Sequence, residues 1–214
     1  MIGLYGGSFD PVHLGHVALA DDLRSRFHFR EIRFLPAARS PLKAAVTDDT
    51  HRVAMLERAL AGHEGLTLDR SELALPPPSY TVDTLRRVRQ ALGPVEPLVF
   101  ILGLDSFLAL PQWKDWQALT DDAHLLVVSR PGSHPALEQA LGTWLSPRQV
   151  SSIDELATLP GGRVLLVDTP PHDIASRDIR AALRKGDDTT RWLAPAVRDY
   201  IDHHHLYRGD TDPQ

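Results

Sequence analysis

Ile2-Gly3-Leu4-Tyr5-Gly6-Gly7-Ser8-Phe9-Asp10-Pro11-Val12-His13-Leu14-Gly15-His16 reads as a short apolar run, a glycine turn and the opening of a helix. Further β-rich runs follow at Glu31 to Leu35, Leu66 to Asp69, Leu98 to Leu102, His124 to Ser129 and Arg163 to Asp168. Between them the apolar positions take helical spacing, as at Val17, Leu19, Ala20, Leu23 and Phe27, and then at Val53, Leu56, Ala59 and Leu60. The order is β-α-β-α. Unbroken apolar strands such as Val99-Phe100-Ile101-Leu102 suit a sheet buried on both faces, which is the habit of parallel strands covered by helices. The expected fold is therefore one doubly wound α/β domain with a mostly parallel, Rossmann-like sheet. After Asp168 the character changes: Ser176 to Lys185 and Ala194 to His204 predict two helices and a C-terminal helical cap over about residues 170–207. Pro76-Pro77-Pro78 and Pro160-Gly161-Gly162 are loops, and the tail Arg208 to Gln214 is expected to fray.

Composition narrows the function. The chain has 214 residues, 43% hydrophobic and 24% charged, with 23 basic and 28 acidic side chains for a net charge of −5. A chain of this length buries roughly 70% of its unfolded surface, enough for one sizeable core. The absence of cysteine excludes disulfides, thiolate catalysis and cysteine-ligated metal centres. A mild acidic balance argues against broad nucleic-acid binding, and no apolar stretch reaches the ~18 residues of a membrane span. With no signal-peptide pattern at the N-terminus, a cytoplasmic location is expected.

The turn after the first strand is where an open parallel sheet gathers ligands. Gly6 and Gly7 let backbone approach a phosphate, Ser8 offers a hydroxyl, and the helix start adds amides and partial positive charge. His13 and His16 are spaced to share a face of the first helical turn, and Gly15 leaves room for a flat base. Neither the dinucleotide fingerprint G-x-G-x-x-G nor the P-loop pattern occurs, so the imidazoles stand where a P-loop lysine would serve phosphate oxygens.

From Gly6 to His16 the chain resembles the G-G-[S/T]-F-D-P-x-H-x-G-H signature of nucleotidylyltransferases. From Ile2 to Tyr207 it looks like the bacterial nicotinate mononucleotide adenylyltransferases. H-x-G-H alone is shared with pantetheine phosphate adenylyltransferase, cytidylyltransferases and class I aminoacyl-tRNA synthetases, so it points to chemistry and leaves the acceptor to other segments.

Three segments address the acceptor. Pro78-Ser79-Tyr80-Thr81-Val82-Asp83 opens a helix, with Ser79 or Thr81 suited to cap it. Gly103-Leu104-Asp105-Ser106 sets a carboxylate where a ribose hydroxyl could be held. In Trp113-Lys114-Asp115-Trp116 an indole could stack on a pyridinium ring, although the two tryptophans suit equally an aromatic seam between loop and core. The resemblance implies that Trp113 stacks on the nicotinate ring, that the backbone amides of Val82 and Lys114 with the Thr81 hydroxyl bind its carboxylate, and that Tyr80, Asp105 and Ser106 belong to the same site. It also implies substrate-phosphate roles for Lys43 and Arg130. Ile174-Ala175-Ser176-Arg177-Asp178-Ile179-Arg180 is similar to the family's I-S-S-T-x-I-R, whose polar residues meet the triphosphate; Ala175 and Arg177 depart from it, while Ser176 remains a candidate N-cap. Arg177 either replaces lost hydroxyl contacts or faces water.

The implied reaction is adenylyl transfer from ATP to nicotinate mononucleotide. Catalysis would rest on His13, His16 and Arg180, and ATP binding on Gly6, Gly7, Ser8, Phe9, Gly15, Gly103, Asp105, Ile174 and Ser176 as well. Mg²⁺ is expected to arrive with the triphosphate. Partners would be these two nucleotides, with neither nucleic acid nor membrane, and a homo-oligomer is compatible with the sequence. His203-His204-His205 is not read as a metal site, because consecutive helix residues diverge by about 100°. Rival readings are a different acceptor, nicotinamide mononucleotide or phosphopantetheine, and a nucleotide-binding module without turnover.

Overall fold

The computed structural model describes residues 1–38, 47–74, 78–132, 136–170 and 174–208; Lys43, Pro76, Pro77 and the tail beyond Arg208 lie outside them. Seven strands form one sheet: β1 (Ile2–Gly7), β2 (Glu31–Pro36), β3 (Leu66–Leu68), β4 (Leu98–Gly103), β5 (His124–Ser129), β6 (Gln149–Val150) and β7 (Val164–Asp168). Their order is β3-β2-β1-β4-β5-β7-β6 and every pairing is parallel. The crevice lies between β1 and β4, where the winding reverses. In register, Ile2 sits opposite Glu31 on one side and Leu98 on the other.

The apolar runs are buried on both faces. One face packs Val99 and Ile101 with Val17, Leu23, Phe34, Met55 and Leu56, and the opposite face packs Ile2, Leu4, Phe100 and Leu102 with Leu85, Phe107 and Leu125. The first layer holds α1 (Leu14–Arg26) and α2 (Asp49–Leu60), and the second holds α3 (Thr81–Leu92) and α4 (Leu104–Leu108). Short α5 (Leu119–Asp122), α6 (Gln139–Leu145) and α7 (Asp154–Ala157) follow in the second half. Two-residue β6 and the helices around it carry too short a period to be read from sequence. α8 (Ser176–Lys185) falls where its pattern predicts, and α9 (Pro195–His203) is one residue shorter at each end than expected. The C-terminal helices cap the first layer, packing on it through Ile179, Val197 and Ile201. Leu206 and Tyr200 pack on that layer, and the His204 ring lies 4.3 Å from Tyr200.

Candidate active site

Everything in the first turn follows from bringing β1 to the crevice and reversing it into α1. A Cβ on Gly6 would lie 2.7 Å from the Phe100 ring, so only glycine fits over that floor, and one on Gly7 would lie 2.9 Å from Phe9. The chain then passes through Phe9 (φ 48°) and a cis Asp10–Pro11 bond. Phe9 is buried, with its ring edge-on to His16 at 5.1 Å.

His13 is the N-cap of α1 and His16 its third residue. The two rings stack with centroids 3.6 Å apart at 22°. The His13 backbone N–H donates to His16 Nδ1 at 3.2 Å, which puts the proton of a neutral His16 ring on Nε2. His13 is the more deeply buried, and it lines a depression of about 250 Å³ with Val17, Asp21 and His63. Gly15, between the two histidines in sequence, is buried.

The main cleft has a volume of about 620 Å³ and runs from Gly6, Gly7 and Ser8 across Phe100 to Thr81, Asp105, Ser106 and Trp113. Among the described residues other than its chain neighbours, no atom lies within 4 Å of the place a Gly103 Cβ would take. Its far wall corrects the capping expectation. Tyr80, not Ser79 or Thr81, is the N-cap of α3, without a side-chain hydrogen bond. The Ser79 hydroxyl donates to Glu72 Oε1 at 3.1 Å, the same oxygen that accepts the Ala38 N–H at 3.1 Å. Glu72 is thus a buried clasp between the end of β2 and the start of α3, and burial pushes its carboxyl above the usual range. Thr81 and buried Val82 open the helix, with Thr81 on the cleft. Lys114 Nζ sits 3.3 Å from Asp83 Oδ2 and 4.5 Å from the Tyr80 ring centroid, tying the tryptophan segment to α3. Both indoles pack on the second layer; Trp116 also meets Trp144 at 5.1 Å, and Trp113 lines the cleft.

Opposite that wall, α8 docks on the motif. Ala175 is its N-cap, so Ser176 does not cap it; the Ser176 hydroxyl instead donates to the Pro11 carbonyl at 3.0 Å. One turn on, Arg180 Nη1 donates to the Asp10 carbonyl. Ile174 packs on the core, and Arg177, 82% exposed and 3.5 Å from Asp178, faces water. Arg130 lies exposed beyond β5, outside the cleft lining, and Lys43 lies outside the described residues.

Sequence reasoning missed Arg52. Its side chain is 1% exposed, and its guanidinium donates to the carbonyls of Thr47 at 3.1 Å, Ser8 at 2.8 Å and Ala37 at 2.8 Å, and pairs with Asp49. The ends of β1 and β2 and the entry to α2 therefore meet on one buried cation. Its signal was present: Arg52 precedes Met55, Leu56 and Ala59 on the inward stripe of α2, a place where arginine is rarely left without several acceptors.

A parallel sheet whose first turn stacks two histidines at the switch point is the architecture of a nucleotidyl-transferring enzyme. Residues 4–182 match the family model described as cytidylyltransferase-like. The chain is 44% identical, over 98% of its length and 96% of the other's, to a probable nicotinate-nucleotide adenylyltransferase of Laribacter hongkongensis, and 42% identical, with 97% of each covered, to one of Pseudomonas aeruginosa. It belongs to the nicotinate-nucleotide adenylyltransferase family. In fold it is similar to the Plasmodium falciparum nicotinic acid mononucleotide adenylyltransferase complexed with NaAD, at a TM-score of 0.70, 20% identity and 96% coverage of both chains.

Proposed function

We propose that this protein transfers the adenylyl group of ATP to nicotinate mononucleotide, releasing pyrophosphate and forming nicotinate adenine dinucleotide. The observation that carries this reading is the position of the Gly6–His16 turn. It lies between a cleft that ends at Thr81 and Trp113 on one side and the α8 side chains Ser176 and Arg180 on the other. An acceptor nucleotide and a triphosphate laid in those two halves would meet at that turn.

The mononucleotide phosphate oxygen attacks the α-phosphorus in line. A new P–O bond forms, the bond from the α-phosphorus to the bridging oxygen breaks, and pyrophosphate leaves with the electron pair. The nucleophile is already anionic near neutral pH, so the protein's work is positioning and stabilisation of charge. His16, with its proton on Nε2, and His13 beside it serve the reacting oxygens, helped by Gly7, Ser8 and the amides at the start of α1. Arg180 and Ser176 face the β- and γ-phosphates. Ile174, Gly15 and Phe9 shape the adenylyl side, and Gly103 with Asp105 gives room and a carboxylate for ribose. On the acceptor side the Val82 and Lys114 amides and the Thr81 hydroxyl hold the nicotinate carboxylate, Trp113 stacks on its ring with Tyr80 and Ser106 beside it, and Arg130 and Lys43 serve its phosphate.

We assign Mg²⁺ to the incoming triphosphate as part of that substrate, since the Gly6–His16 turn supplies few carboxylates to cage it. No described helix is long and apolar enough to cross a membrane. We assign the reaction to the cytoplasm.

Amides aimed at a carboxylate form charge-assisted bonds, whereas nicotinamide turns its own NH₂ toward at least one of them. The mismatch is worth on the order of a hundredfold in discrimination. The test is pyrophosphate release from ATP with nicotinate mononucleotide, nicotinamide mononucleotide and 4′-phosphopantetheine in parallel. The first should turn over fastest; a preference for either of the others, or ATP binding without release on any of them, refutes the assignment.

A further inference from the structure

Beyond α9 the chain doubles back toward the motif. The Leu206 N–H returns to the Ile201 carbonyl at 3.0 Å, and His205 (φ 52°) and Tyr207 (φ 62°) both adopt left-handed backbone. Such conformations are uncommon outside glycine, and for a bulky residue such as tyrosine they persist only where the surroundings over-determine them. What they achieve is a contact across 197 positions of sequence: the Tyr207 hydroxyl donates to Asp10 Oδ1 at 2.6 Å. Burial and the Asp10 carboxylate beside it push the Tyr207 phenol far above its ordinary range, so it remains a donor at every working pH.

Asp10 is the hub of the motif turn. Its side chain is 8% exposed; Oδ1 takes Tyr207, Oδ2 takes the Thr47 N–H at 3.3 Å, and its carbonyl takes Arg180. It directly precedes the Pro11-Val12-His13 entry to α1. Of the two long side chains that reach Asp10, Arg180 is assigned above to the triphosphate and must divide its donors when ATP arrives. Tyr207 has no such second task. We infer that Tyr207 is a positioning residue for adenylyl transfer: through Asp10 it fixes the turn at residues 9–11 and so sets where the stacked His13 and His16 rings stand relative to the reacting phosphates. The inference rests on the adenylyl-transfer reading given above.

The experiment compares the full-length wild type with Tyr207→Phe, Asp10→Asn and the double variant, by steady-state pyrophosphate release and thermal unfolding. Tyr207→Phe keeps the ring packing and removes the hydroxyl with its hydrogen bonds to Asp10, which is charge-assisted, and to Thr47. It should lower kcat about tenfold while KM for the mononucleotide stays within about twofold and Tm falls by about 3–6 °C, leaving the variant folded at the assay temperature. In the Asp10→Asn background the same substitution should cost less than about twofold, because its partner is already impaired. A kcat for Tyr207→Phe within about twofold of wild type overturns the inference, as does an undiminished loss in the Asp10→Asn background, which would place the effect elsewhere. The ratios are taken on whichever acceptor the wild type uses, so a wild type inactive on nicotinate mononucleotide sinks the substrate assignment without deciding the role of Tyr207.

Discussion

Removing the buried guanidinium of Arg52 should loosen the floor of the cleft before it touches any substrate. In Arg52→Met the aliphatic stem is kept and the donors are lost, leaving the carbonyls of Ser8, Ala37 and Thr47 without them. An abandoned buried acceptor costs about 1–3 kcal/mol. Ser8, Ala37 and Thr47 are half-buried and can recruit water, so the low end applies to each and the sum is about 3 kcal/mol. The ion pair adds little, since the Asp49 side chain is 45% exposed. Against a total of about 5–15 kcal/mol, and at about 2–4 °C per kcal/mol for a chain of this size, Tm should fall by about 6–12 °C. Thermal unfolding followed by circular dichroism measures this. Arg52→Lys, a compact cation with a shorter reach, should recover only part of the loss. A Tm for Arg52→Met within about 2 °C of wild type would mean that water satisfies the carbonyls as well as the guanidinium does, and the reasoning would fail.

Other expectations concern the site itself. His16→Ala should lower kcat by about two to three orders of magnitude and leave the mononucleotide KM nearly unchanged, and turnover close to wild type would contradict the phosphate role given to that ring. Trp113→Ala should act mainly by raising the mononucleotide KM, so a large fall in kcat at constant KM would speak against stacking. Glu72 gives a pH signature: burial raises its carboxyl above the ordinary 4.5, so the folded state holds that proton more tightly than the unfolded one. Its stabilising contribution is complete below the ordinary value and is lost as pH rises through the raised one. Glu72→Gln keeps an oxygen acceptor for Ser79 and Ala38 but removes the titration, so across about pH 4–8 its urea midpoint should vary less than that of wild type and exceed it at the upper end. Parallel curves for the two proteins would refute the buried-charge account.

What the sequence made legible follows from the length scale of each signal. Continuous apolar runs such as Leu98 to Leu102 announce a strand buried on both faces, and the Gly6–His16 turn announces its own place at a strand end, because local chemistry and global topology coincide there. The helix N-caps were misplaced for a tertiary reason. Ser79 and Ser176 are good caps in isolation, but Glu72, across an intervening loop, and the Pro11 carbonyl, 165 positions away, take their hydroxyls. Arg52, Glu72 and Tyr207 escaped notice because each works through partners that only folding brings near. Of these, Arg52 alone left a local mark, as a cation on an apolar helical stripe. Trp113 and Trp116 are indistinguishable by composition, and only folding sets Trp116 against Trp144 and Trp113 on the wall of the cleft.

The ring beneath Gly6 bears on how this sequence can drift. Phe100 is 3% exposed and packed in the second core layer, so a methyl group 2.7 Å away would have to displace a buried ring. Alanine at position 6 becomes tolerable only after residue 100 has shrunk, and a shrunken residue 100 opens a void until position 6 fills it. The two sites thus form one mutational unit with a valley between its end states, and a comparison of diverged relatives should find them exchanged together or not at all.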